Sequence, residues 1–152
     1  MKALVVNGSA TERAVFSAQL TWLGLEPETA ASAEEALDWL QRGNAFAVVL
    51  LSWSLQGSEG LDLLRRLRAE ARWAELPIVL ITGMDDLSRI EQAHDAAVSE
   101  FLLQPSDAQA LLEKLLILGV DPEAPDLTQP EPHRRQGRPA RPNEDPEARR
   151  AA

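Results

Sequence analysis

The sequence predicts an α/β fold, a doubly wound parallel sheet of five strands with five helices, on three observations. Two apolar runs, Phe46 to Leu51 and Pro77 to Thr82, lack polar alternation, as strands buried on both faces of a sheet do. Five strand candidates are each followed by a polar turn and an amphipathic stretch, a rhythm that implies right-handed crossovers with helices on both faces. The second strand candidate, Leu25 to Ala30, is poor because it carries Glu26, Pro27 and Glu28, and proline is tolerated in a sheet chiefly at an edge.

The elements follow in order. Met1 to Val6 is a short apolar strand ending at Asn7-Gly8-Ser9, and Thr11 to Leu23 places Phe16, Leu20 and Leu23 on one helical face. After the edge strand, Ser32 with Glu35 makes a capping-box pattern, and Ala33, Ala36, Leu37 and Leu40 follow at helical spacing. The run Phe46 to Leu51 puts Ser52 at the carboxyl end of the third strand, and the helix after it carries a stripe of Leu63, Leu64, Leu67 and Ala71. Pro77 to Thr82 is the fourth strand, followed by a polar GMDD turn and a helix from about Asp86 to Ala97 with Leu87, Ile90, Ala93 and Ala97. Glu100 to Leu103 is the fifth strand, closed by Gln104-Pro105, and Ser106 with Gln109 caps a last helix through Leu118. A folded part of about 120 residues is small for a doubly wound sheet, which favours the flavodoxin-like order 2-1-3-4-5.

Composition divides the chain into 1–120 and 121–152. The second part holds seven of the ten prolines and hardly any large apolar residue, so it cannot bury a core and is expected to be a disordered, Pro/Arg-rich tail. Its seven acids and six bases nearly cancel, leaving 17 acids against 9 bases in the folded part and a net charge of −9 for the chain. That balance repels phosphate backbones and anionic lipid, so direct nucleic-acid or membrane binding is disfavoured and a protein partner is expected. With no cysteine there is no disulfide framework or thiolate site. The opening MKALVVNG is too short an apolar run for a signal peptide or a membrane span, and a cytoplasmic protein is expected.

Four spaced segments carry a resemblance: ALVVNGSATER, VVLLSWSLQGSEGLDLLRRLR, LPIVLITG and EFLLQPSD. Across residues 1 to about 120 the chain resembles the response-regulator receiver domain, the aspartate-phosphorylated module of bacterial two-component signalling. In that family the first strand ends in an acidic pair, which falls here on Asn7 and Gly8; the phosphoacceptor aspartate falls on Ser52 and the lysine before a proline on Gln104. The hydroxyl position is kept as Thr82, and Phe101 stands at the switch aromatic. Phosphotransfer needs an acceptor carboxylate, a hard cation held by carboxylates and a lysine to neutralise phosphoryl charge. The resemblance therefore implies a degenerate pseudo-receiver with a vestigial site, no cofactor and no enzymatic activity.

Other chemistry finds little support. Ser52 and Ser58 lack a G-x-S-x-G elbow, Asn7-Gly8-Ser9 lacks the G-x-G-x-x-G of a dinucleotide site, and His94 and His133 have no ligands at metal spacing. Trp22, Trp39, Trp53 and Trp73 are dispersed and read as packing residues, with Trp53, next to Ser52, the one closest to the site. The PxxP spacing from Pro139 to Pro142 is one that any proline-rich tail offers. In the last helix an inner stripe of Leu111, Leu115 and Leu118 leaves Leu112, Leu116 and Ile117 in surplus, which suggests a contact surface. The resemblance places that surface on the face of the fourth helix, fifth strand and fifth helix, for a signalling partner or self-association. A second reading makes the crevice at the strand ends a small-molecule sensor, served by amides at helix starts. No basic helix-turn-helix unit follows to bind DNA.

Overall fold

The computed structural model describes residues 1–43, 45–83, 87–104 and 106–122. Strands β1 (Lys2–Val6), β2 (Glu26–Ala30), β3 (Phe46–Ser52), β4 (Ile78–Gly83) and β5 (Glu100–Gln104) form one parallel sheet in the order β2-β1-β3-β4-β5. Helices α1 (Ala10–Trp22), α2 (Ala33–Gln41), α3 (Gly60–Arg68), α4 (Leu87–Asp95) and α5 (Ala108–Ile117) connect and follow them. This is the flavodoxin-like arrangement that the sequence predicts, with the proline-bearing strand at the edge. The expected tail, 121–152, lies outside the described residues from 123 onward, with His133 and the PxxP spacing, as does most of the GMDD turn.

Two cores sandwich the sheet. Ala3, Val5, Val48, Leu50, Val79, Ile81 and Leu102 point toward α1 and α5, where they meet Phe16, Leu20, Leu111 and Leu115. Leu4, Val6, Val49, Leu51, Ile78 and Leu80 point the other way, toward α2 and α3. In β1 and β4, and in β3 from Val48 on, side chains alternate with period two yet both sets are apolar, which is why no polar alternation marks these runs. The pairing of β1 with β3 shifts between Lys2 and Ala3, which puts Ala47 beside Val48 on the α1 and α5 side.

The starts of α1, α2 and α5 carry side-chain caps. Ser32 Oγ accepts from the Glu35 amide at 3.2 Å, and Glu35 Oε1 accepts from the Ala31 amide at 2.8 Å, one residue before the usual capping-box donor. At α5 the cap is Asp107, whose Oδ1 accepts from the Ala110 amide at 2.9 Å, and not Ser106. The Ser106 hydroxyl instead donates to Gln104 Oε1 at 3.2 Å. The third helix ends at Arg68, so Ala71 is not part of its stripe; it lies exposed in a separate 3-10 turn, Ala71–Trp73, and Leu61 is the buried residue that extends the stripe at the other end. The fourth helix likewise stops at Asp95, and Ala97 is exposed with φ of 64°.

Candidate functional site

Register sets the site. Val6 pairs with Leu51, so Asn7 and Ser52 reach the carboxyl edge side by side; Ser52 pairs with Ile81, so Thr82 stands one residue higher, and Gly83 pairs with Gln104. In an open α/β sheet this edge borders the crevice where ligands bind. Asn7, Gly8, Ser52, Thr82 and Gln104 are thus gathered at one edge of the sheet.

At the end of β1 a closed ring of hydrogen bonds starts α1. Asn7 Oδ1 accepts from the Ser9 amide at 2.9 Å, Ser9 Oγ accepts from the Glu12 amide at 3.2 Å, and Asn7 Nδ2 donates to Glu12 Oε1 at 3.0 Å. Arg13 Nη1 donates to the Asn7 carbonyl at 2.7 Å. Asn7 is buried, and its carboxamide serves as acceptor to one neighbour and donor to the other. Glu12 is the residue that sequence reasoning missed. Its signal was the Ser9-x-x-Glu12 spacing of a capping box, but the side chain passes over Ser9 and meets Asn7.

The loop after β3 is fastened across the neighbouring loops. The Gly8 amide donates to the Ser54 carbonyl at 3.0 Å, the Gln56 amide donates to the Ala31 carbonyl at 3.0 Å, and Gln56 Nε2 reaches the Gly8 carbonyl at 3.5 Å. Within this loop a short hairpin pairs Ser54–Leu55 with Ser58–Glu59. Trp53 and Leu55 are buried in the core on the α2 and α3 side, and the Arg89 guanidinium stacks 4.8 Å from the Trp53 ring centroid. Gly60 opens α3 so close to β3 that any Cβ there would overlap the Ser52 carbonyl oxygen. Its amide donates to the Trp53 carbonyl at 2.6 Å.

Ser52 is 9% exposed, and its Oγ accepts from the Ser54 amide at 3.2 Å. Thr82 is 4% exposed, and its hydroxyl has no hydrogen-bond partner among the described residues. Gln104 is held by Ser106. Ser52 and Gln104 therefore bond to local neighbours rather than to each other, and the Thr82 hydroxyl bonds to neither. The donor set does not fit a hard divalent cation, which needs several oxygen ligands with carboxylates among them. Gly8 has no side chain, the Ser54 carbonyl already accepts from the Gly8 amide, and, among the described residues, Glu12 next to the strand end is bonded to Asn7. Among the described residues no three acids or histidines come together at metal distance.

Phe101 is half-buried against the core on the α2 and α3 side, and its strand partner is Leu80. Of the three surplus apolar residues on α5, Leu112 packs against the α1 and α5 core, whereas Leu116 and Ile117 are 50% and 65% exposed. Leu118 is half-buried, and Val120 completes the inner stripe. Leu103 on β5 is a further exposed apolar side chain. His94 is exposed on α4. No helix among the described residues is long and apolar enough to cross a membrane.

Comparison with known proteins agrees with this fold. The family profile of the response regulator receiver domain matches residues 3–116. The chain is 35% identical over 127 residues to chemotaxis protein CheY1 of Helicobacter pylori, covering 80% of this chain and 99% of that protein. It is 34% identical over 116 residues to chemotaxis protein CheY of Pseudomonas aeruginosa, covering 76% and 93%. Among solved structures, a putative response regulator from Chloroflexus aurantiacus superposes with a TM-score of 0.72 at 27% identity, covering 78% of this chain and 97% of that one.

Proposed function

The chain belongs to the response regulator receiver domain family of two-component signalling, and from that premise we propose that it is a pseudo-receiver that binds a signalling partner without being phosphorylated. Receiver domains are signalling modules that engage other signalling proteins. The observation that carries the proposal is the side chain at the end of β3. Ser52 presents a buried hydroxyl where phosphotransfer needs a carboxylate, and its oxygen is already bonded to the Ser54 amide. Asn7, Gly8 and Gln104 supply no charge to hold a metal or neutralise a phosphoryl group. What remains is a shape, and Leu116 and Ile117 on α5 are the apolar residues that such a shape offers to a partner. A small molecule in the crevice is the weaker reading, because the Thr82 hydroxyl oxygen is closed off from solvent and the Ser54 and Leu55 backbone lies against Gly8.

The test is affinity capture from native lysate with the full-length chain, with and without acetyl phosphate and Mg²⁺. The same partner is expected in equal yield under both conditions and is lost with Leu116→Asp/Ile117→Asp. Capture that requires the phosphodonor overturns the proposal.

A further inference from the structure

At the opposite edge of the sheet from the crevice, one side chain at the end of α3 bonds to three residues in two other segments. Arg68, the last residue of α3, donates from Nε to the Ala97 carbonyl at 2.8 Å, from Nη1 to the Trp73 carbonyl at 3.0 Å and from Nη2 to Ser99 Oγ at 3.0 Å. Ser99 is itself clasped to β4: the Ile78 amide donates to its Oγ at 2.9 Å, and its own amide donates to the Ile78 carbonyl at 3.1 Å. The planar guanidinium fork suits this task, since it offers five donors in fixed directions. Its positive charge also lies at the carboxyl ends of both α3 and α4, where the helix dipoles are negative.

The described side chains of the fourth helix supply little apolar packing: Ala93 is fully buried and Ile90 half-buried. The turn that leaves it passes through Ala97 in a left-handed conformation that L-residues with a Cβ disfavour. Arg68 grips the carbonyl of that residue. Burial lowers the pKa of this guanidinium, with Glu75 opposing the shift, which fits a group whose hydrogen bonds replace solvent.

We propose that Arg68 is a positioning residue that ties α4 and its exit turn to the end of α3 and so holds this side of the molecule in one arrangement. The consequence for signalling, a partner face set without phosphorylation, rests on the pseudo-receiver reading; the tie itself does not, so each can fail alone.

Hydrogen exchange read by mass spectrometry on the full-length chain separates a local tie from general stability. Arg68→Gln is expected to speed exchange in 87–104 by about tenfold or more relative to β1 and β3, in keeping with the loss of hydrogen bonds from a charged donor. Arg68→Lys, which keeps the charge but cannot span three acceptors, should fall between the two. Ser99→Ala removes one acceptor and should move the same segment less. Uniform acceleration along the chain, or none in 87–104, overturns the proposal. If Arg68→Gln does not fold, Ser99→Ala decides by the same pattern.

Discussion

The amide of Gly8 donates to the carbonyl of Ser54 at 3.0 Å, which brings the loops after β1 and β3 into backbone contact. A Cβ on Gly8 would lie 3.0 Å from the Ser54 oxygen and 3.2 Å from the Leu55 carbonyl carbon, so any side chain there requires the facing main chain to give way by a few tenths of an ångström. Gly8→Ala should cost about 1–3 kcal/mol through this crowding, and Gly8→Asp at least as much. Urea midpoints for the two variants check it. Wild-type stability in both would show that the loops part freely.

Asn7→Asp should destabilise by a route that involves charge. The substitution removes the donor that meets Glu12 Oε1 at 3.0 Å and sets two carboxylates face to face. A loss of about 1–3 kcal/mol is expected. Because Glu12→Gln restores a donor to the pair, the double variant should recover most of the loss, and thermal melts of the two single variants and the double measure the coupling. Additive losses would contradict the ring of bonds at the start of α1.

Thr82→Val should stabilise the protein by about 1 kcal/mol, since it replaces a buried hydroxyl that lacks a partner among the described residues with a methyl of similar shape. A rise in the urea midpoint with an unchanged slope is the expected result. A fall would mean that the hydroxyl is satisfied.

Ala97→Gly should also stabilise. The left-handed conformation costs a residue with a Cβ about 1–2 kcal/mol, while glycine loses roughly 0.5–1 kcal/mol more in backbone freedom on folding, so the net gain is about 0.5–1 kcal/mol. Equilibrium unfolding decides the sign.

Much of this architecture was legible because the apolar runs and the rhythm of units are properties of the sequence itself. Pro27 marked the edge strand, and Ser32 with Glu35 marked the start of α2, both through local chemistry. The misplacements share a cause, namely that several residues of the right type stood side by side. Ser106 and Asp107 are both good caps, and the choice fell to Asp107 because Ser106 turns back to Gln104. Ala71 and Ala97 continue a helical period, but α3 stops where Arg68 takes up its three acceptors, and α4 stops before the left-handed turn. At the site, the neutral residues at the strand ends could be read from the sequence. Glu12 could not, because its reach to Asn7 depends on how α1 enters over the strand end.

The most direct measurement is intact mass after incubation of the full-length chain with acetyl phosphate and Mg²⁺. A variant carrying Asn7→Asp, Gly8→Asp, Ser52→Asp and Gln104→Lys restores the acceptor, the metal-binding acids and the counter-charge, and it serves as the comparison. No phosphoryl adduct is expected on the wild-type chain and a hydroxylamine-labile adduct on the restored one, limited by the repulsion among its acids. A hydroxylamine-labile phosphoryl group on the wild-type chain would contradict phosphorylation-independent partner binding, because it would place an acyl phosphate on a carboxylate although Ser52 stands at the acceptor position.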